Sequence, residues 1–316
     1  MHEPDLRNIR RLEAFVEVAE LRSFSRAAHR LQLTQPAVSR YIKEIERSIG
    51  APLFEHRQRN LALTEAGQVM YGHARKIITL MEEMESAITG AGGTGFAGPV
   101  RVGVGAAWEY PISDALVEFQ REHPQVRLRI TIGRTREITD WLLENQVSLG
   151  FVTEHPRDAR LDVTQVAESE LVLLAAPDHP LARAESVMPE QLEHERFIAY
   201  ASDQLAARSQ TYLGQTGLRP AYVMEIQSFE GVKRAVARGV GIAMIMAHAA
   251  SGELAAGTLV RLRVEAPPWK VPLYALRARS RYVPPAHQAV LDFILARFRE
   301  GEAPHIPSPN THHAPA

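Results

Sequence analysis

The segment from Ser23 to Thr64 narrows most sharply what this chain can fold into. Ser23 is a predicted N-cap, and the helix after it buries Phe24, Ala27, Ala28 and Leu31. The small Ala27 and Ala28 let a second helix approach closely. Only Gln32-Leu33 separates this helix from the next, which Thr34 caps and which carries Pro36 in its first turn, where a missing N–H costs nothing. Val38, Ile42, Ile45 and Ile49, spaced by 4, 3 and 4, form a buried stripe. The opposite face of that helix carries Pro36, Arg40, Lys43 and Arg47, with Ser39 on its flank. Gly50 supplies the left-handed residue that ends the helix. Leu53-Phe54 and Leu61-Ala62-Leu63 then bracket a polar tip with His56, Arg57 and Arg59, which reads as a short β-wing. Upstream, Leu12, Phe15, Val16 and Ala19 mark a first helix over Asn8 to Glu20. Together these elements spell a helix-turn-helix with a wing.

Charge supports a nucleic-acid face of limited extent. The whole chain of 316 residues has a net charge of −1, yet residues 1–63 hold 11 Lys and Arg against 8 Asp and Glu. Between Arg22 and Arg59 the balance is 8 against 3. A basic patch on a near-neutral chain fits a DNA footprint confined to one small domain. The chain has no cysteine, which excludes disulfide and thiolate chemistry. The N-terminus lacks a signal-peptide apolar core, and no apolar run reaches the roughly 18 residues of a membrane span. The expectation is a soluble, cytoplasmic protein without a membrane partner.

Thr64 opens a long helix in which Met70, Ala74, Ile77, Met81, Met84 and Ile88 recur at 4, 3, 4, 3 and 4, a heptad pattern that predicts a dimer seam. The glycine-rich stretch 90–98 reads as a hinge. From Pro99 onward, strands and helices alternate in two successive sets, which predicts parallel sheets covered by helices and a cleft between two α/β halves. The tail after Gly301, rich in Pro and His, reads as disordered. The expected organisation is a winged helix-turn-helix domain at 1–63, a linker helix at 64–89, a ligand-binding domain of two α/β halves at 90–301 and a disordered tail at 302–316.

Residues Ser23-Phe-Ser-Arg-Ala-Ala28, Thr34-Gln-Pro-Ala-Val-Ser-Arg40, Gly50, Leu53-Phe54 and Leu63-Thr-Glu-Ala-Gly67 together resemble the DNA-binding domain of LysR-type transcriptional regulators. The resemblance is dense over residues 8–67. The later halves are similar to that family's effector domain, a periplasmic-binding-protein-like fold. It implies a transcription regulator, not an enzyme, built as a tetramer from two dimers. Such a regulator would bind an interrupted palindrome in double-stranded promoter DNA, respond to a small-molecule effector and contact RNA polymerase. The resemblance implies DNA contacts at Gln35, Pro36, Ser39 and Arg40 on the recognition helix and at Arg57 and Arg59 on the wing, and Ser23, Ser25, Thr34 and Lys43 are expected beside them. The family's wing carries Arg where this chain has His56, so the wing contact falls to His56 or Arg57. A proline that many members place soon after the matching strand is here Met246.

Gln35 and Arg40 have the chemistry of base readers, since Gln pairs bidentately with adenine and Arg with guanine. Effector contacts are expected at strand carboxyl ends and helix starts, where free N–H groups attract anions. Those positions are Ala106, Ala107, Trp108, Arg134, Thr135, Ser202, Ser228 and Phe229, and they point to an organic anion. No phosphate loop, nucleophile elbow or zinc-type Cys/His set is present, and Trp108 occupies the third glycine position after Gly103-Val-Gly105. No cofactor and no metal are expected. Two other readings remain: a solute-binding protein or enzyme using only the α/β part, and a DNA-binding protein indifferent to ligand.

Overall fold

The computed structural model describes residues 8–57, 60–91, 98–201, 203–279 and 283–299. Each helix of the head starts where a side chain satisfies a first-turn N–H. Asn8 accepts from the Arg10 amide at 3.1 Å and opens α1 (Ile9–Leu21). Ser23 accepts from Arg26 N at 3.3 Å and opens α2 (Phe24–Arg30). Thr34 accepts from Ala37 N at 3.4 Å and opens α3 (Gln35–Ile49), which Gly50 ends at φ 73°. Leu12, Phe15 and Val16 of α1 meet Ile42, Ile45 and Leu53 in one buried cluster, while Ala27, Ala28 and Val38 form a second with Ala14 and Val18. The wing is an antiparallel pair, β1 (Phe54–Arg57) and β2 (Asn60–Leu63). It is pinned to the head by Phe54, whose ring lies 5.5 Å from Phe15 and 5.8 Å from Phe24.

Thr64 Oγ1 donates to Pro52 O at 2.7 Å and accepts from Gly67 N at 3.0 Å, capping the long helix α4 (Glu65–Ala91). Gly67 has no room for a Cβ because the Leu53 carbonyl lies there. The expected seam is split between two faces of α4. Ala74, 1% exposed, packs with Ile78 against α1, and Met70 joins the same cluster. Ile77, Met84 and Ile88 lie on the exposed face, 46%, 52% and 66% exposed, and Leu80 shares that face. The heptad count ran the two faces together because the helix has an apolar stripe for its own head and another turned away from it.

The second part opens with β3 (Gly98–Gly105), one 3₁₀ turn at Ala106–Trp108, α5 (Glu109–Glu122), β4 (Val126–Gly133), α6 (Thr135–Leu143) and β5 (Leu149–Val152). It continues through β6 (Leu161–Ala175), β7 (Arg196–Tyr200), α7 (Asp203–Gln215), β8 (Ala221–Ile226), α8 (Phe229–Ala237) and β9 (Ala243–Met246). Then follow α9 (Ser251–Ala256), β10 (Val260–Leu262), β11 (Trp269–Ala278) and α10 (Pro285–Arg299).

In the first half β4, β3 and β5 are parallel, as the alternation predicts. In the second half β7 and β8 are parallel too, but the expectation of parallel sheets fails for the strands that join the halves. The antiparallel strands β11 and β6 continue the sheet in the order β10-β6-β11-β5-β3-β4, and β9 also pairs with β6. β6 reaches well beyond its apolar run of Leu171 to Ala175 and starts ten residues earlier, at Leu161. Its first part (Asp162, Thr164, Gln165, Glu168, Ser169, Glu170) is too polar to read as a buried strand. Between β6 and β7, Pro189–Leu192 forms only a 3₁₀ turn. Of the expected hinge, Gly90 and Ala91 continue α4 and Gly98 begins β3, and residues 92–97 lie outside the described residues, as does the tail.

Head and second part touch. The Glu20 carboxylate of α1 receives Tyr71 Oη at 3.3 Å and Arg75 Nη1 at 3.3 Å from α4, and Arg129 Nη1 of β4 at 3.1 Å. Burial and the Glu20 charge push the Tyr71 phenol up to about 12. Further along the same face of α4, Glu82 holds Arg101 at 2.6 Å and the Thr79 hydroxyl donates to Asn145 O at 3.2 Å.

Candidate DNA-binding face and ligand cavity

The outer face of α3 is exposed at Gln35, Pro36, Arg40, Lys43 and Arg47, with Ser39 half-buried beside it. Arg40 Nε lies 3.9 Å from Glu44 Oε1, with its guanidinium 6.0 Å from the Tyr41 ring centre. Glu44 is drawn the other way by Arg11 at 3.1 Å. A loose, exposed ion pair of this kind contributes little and yields readily to a better partner. Ser25 is exposed, whereas the oxygens of Ser23 and Thr34 already serve as helix caps. The Arg26 guanidinium donates to the Leu21 carbonyl and ties the start of α2 to the end of α1. Arg57 ends β1 opposite Asn60, and His56 is exposed opposite Leu61. Arg59 lies outside the described residues.

A cavity of about 230 Å³ opens where β3, β4, β5, β7 and β8 end. Ala106, Ala107, Arg134 and Thr135 line it, as the sequence suggests, together with Gly105, Ile132, Gly133, Glu137, Thr153, Tyr200, Ala201, Arg208 and Gln227. Thr135 opens α6, so amide N–H groups of its first turn end at the cavity. The Glu137 carboxylate is turned back on that start, accepting from Arg134 N at 2.8 Å. Arg208 reaches from α7 and donates to the Thr153 carbonyl at 3.2 Å. Tyr200 stacks on Phe229 at 4.1 Å, and burial pushes its phenol pKa up, so the ring presents a neutral hydroxyl at neutral pH.

Three expected ligand contacts are elsewhere. Trp108 is 0% exposed and packs in the core, its ring 4.8 Å from His248 and 6.0 Å from Phe298. Its indole N–H finds no acceptor among the described residues. Ser228 caps α8, accepting from Gly231 N at 3.3 Å, and Phe229 is buried behind Tyr200, so neither reaches the cavity wall. Ser202 lies outside the described residues. Sequence reasoning missed Arg208, Thr153, Tyr200 and Gln227. Thr153, Tyr200 and Gln227 carry the same signal as Arg134, a place at or just past the end of a strand. Arg208 carries none, because it lies within α7.

Two buried polar groups brace the cavity. His248 Nε2 donates to Ala107 O at 2.6 Å, and Nδ1 accepts from Ser169 Oγ at 2.9 Å. Burial pushes this imidazole down to about 4, so it is neutral near pH 7 and fixes the lip at Ala107. Just past Ala107 and Gln227, Tyr110 of α5 donates to Glu230 of α8 at 2.9 Å, and Lys233 binds Glu230 at 2.6 Å and Glu253 at 2.7 Å. This contact joins the two halves beside the cavity.

Trp108→Ala is expected to lower stability by about 3–5 kcal/mol in denaturant melts, the usual cost of truncating a buried aromatic. Trp108→Phe should lose much less. A full-size loss of ligand affinity with unchanged stability would instead return Trp108 to the cavity wall.

A three-helix head with a wing, a cationic α3 face and a long helix leading to a two-halved α/β domain with a cavity define a ligand-responsive DNA-binding regulator. Residues 9–68 match the family model of the bacterial regulatory helix-turn-helix protein, lysR family, and residues 93–299 match the LysR substrate binding domain. The chain belongs to the LysR family of transcriptional regulators. It is 32% identical over 294 residues to the HTH-type transcriptional regulator CbbR of Rhodospirillum rubrum, spanning 93% of this chain and 97% of that one. It is 29% identical to the RuBisCO operon transcriptional regulator of Allochromatium vinosum, spanning 92% and 96%. In fold it is similar to a variant of full-length OxyR from Pseudomonas aeruginosa (TM-score 0.68, 20% identity, 92% and 94% covered). It is also similar to full-length CbnR complexed with its target DNA (TM-score 0.67, 20% identity, 93% and 99% covered). Among the described residues no helix is long and apolar enough to cross a membrane.

Proposed function

We propose that the cavity at the strand carboxyl ends takes a small organic anion, and that its occupancy changes how a pair of α3 helices sits on promoter DNA. The observation that carries the ligand class is the convergence of Arg134, Arg208 and the first turn of α6 on one cavity. Charge-assisted hydrogen bonds from Arg to a carboxylate are the strong ones, and a helix start adds to them. Thr153, Tyr200 and Gln227 then orient the rest of the ligand. In this reading the chain binds its ligand without transforming it.

Two copies pair along the α4 face of Ile77, Leu80, Met84 and Ile88, so the dimer reads two half-sites of an interrupted palindrome. Pairing of dimers into a tetramer uses two edge strands with exposed apolar side chains, Ile130 and Ile132 on β4 and Val223 and Met224 on β8. Contact with RNA polymerase completes the reading. The units are the head at 1–63, the linker helix at 64–89 and the ligand-binding domain at 90–301. The relatives named as RuBisCO operon regulators make such an operon the first DNA to footprint.

The test is calorimetry with a panel of small carboxylates, phosphates, amines and neutral compounds. Binding of an anion is expected, weakened about tenfold or more by Arg208→Gln. Tight binding only by cations or neutral apolar compounds defeats the reading.

A further inference from the structure

A second cavity, of about 300 Å³, opens at the opposite end of the first-half sheet, between α4 and the ligand-binding domain. Its floor is apolar, built by Leu142, Val147 and Leu149. Its charged groups come from two separate parts of the chain: Lys76 from α4 and Arg277 from the end of β11. None of the described residues lining it is a carboxylate.

The positive charge is not cancelled locally. Lys76 is exposed, and among the described residues no carboxylate pairs with it. Arg277 Nε lies 3.3 Å from Asp162, but Asp162 also receives Arg279 at 3.0 Å, so two guanidinium groups share one carboxylate. That sharing holds Arg277 in place and leaves the trio with one net positive charge. His287 adds none: its Nε2 lies 3.3 Å from the Pro99 carbonyl, and burial pushes it down to about 4. The volume is at the small end of the range for metabolite pockets, and an apolar floor with charges at the rim suits a short carbon skeleton bearing an oxyanion.

We propose that this cavity is a second ligand site, for a small carboxylate or phosphate, bridging Lys76 of the linker helix and Arg277 of the ligand-binding domain. An anion held there ties α4 to the domain at the point where the Thr79–Asn145 and Glu82–Arg101 contacts already fasten it. It sets the angle of the linker helix, and the site stands apart from the cavity at the strand carboxyl ends.

The experiment is calorimetry on the full chain with succinate and with inorganic phosphate as separate probes, at constant ionic strength with chloride as the reference. Saturable binding of at least one probe is expected, and the probe that binds tells carboxylate from phosphate. Lys76→Gln should weaken it about tenfold or more and Lys76→Glu should abolish it. Arg208→Gln should leave this binding unchanged, which separates the site from the first cavity. Because Lys76 is exposed, the melting temperature without anion should match the parent. Absence of saturable binding by either probe overturns the proposal. So does binding that survives Lys76→Gln, whether or not Arg208→Gln removes it.

Discussion

Arg40→Ala is expected to weaken operator binding by about 1–3 kcal/mol, roughly 5- to 150-fold, while binding to unrelated duplex falls far less. The difference follows from where Arg40 stands. It lies on the exposed face of α3, past the first turn, with a 3.9 Å contact to Glu44 as its main hold. A guanidinium so loosely held can turn to a base edge, and its bidentate fork matches guanine O6 and N7. Lys43→Ala, on the same face, should instead weaken all duplexes alike and reduce the salt slope by about one unit, as loss of a phosphate contact does. Titrations at two salt concentrations on operator and scrambled DNA separate the two. Equal losses on both DNAs for Arg40→Ala would make it a phosphate contact and leave Gln35 as the remaining base reader.

Met84→Glu combined with Ile88→Glu is expected to turn a dimer into monomers and to lower operator affinity by about 10²–10⁴, the range that linkage of two half-site contacts supplies. Both side chains are more than half exposed in the single chain, so their replacement removes apolar area from an interface without opening the core. Ala74→Glu, from the same heptad pattern, should behave differently. Ala74 is buried against α1, and a carboxylate there should unfold the head instead of splitting a dimer. Sedimentation and thermal melting tell these outcomes apart. A doubly substituted chain that stays dimeric would move the pairing surface off this face of α4.

The head was legible because its instructions are local. Ser23, Thr34 and Gly50 act within a few residues of themselves, and the caps they form are the ones observed. The α4 seam was legible only by half. Spacing shows that Met70, Ala74, Ile77 and Met84 are apolar at heptad intervals, but not that α1 folds back to claim Ala74 and Ile78 while Ile77 and Met84 stay outside. Trp108 failed for a similar reason. It follows a strand, as a ligand contact would, yet Phe298 from the last helix and His248 cover it, and neither is near it in sequence. Arg134 and Thr135 could be placed by the rule that ligands gather past strand ends, whereas Arg208 depends on how α7 folds back to bring its guanidinium to the Thr153 carbonyl.

The ladder between β6 and β11 runs from Leu161 opposite Ala278 to Leu171 opposite Trp269, with one irregularity between Leu273 and Tyr274. These two strands carry the chain from one α/β half to the other and back. Two free crossovers would let the halves swing like a hinged jaw. A ribbon laced along its length behaves instead as a torsion spring, stiff to bending and compliant to twist, with its soft point at the break in the lacing. Amide exchange near Leu273 and Tyr274 should therefore be faster than at Val271 or Leu276 and should slow when ligand binds, while the pairs on either side stay protected throughout. A signal passed through such a spring is a small rotation of one half against the other.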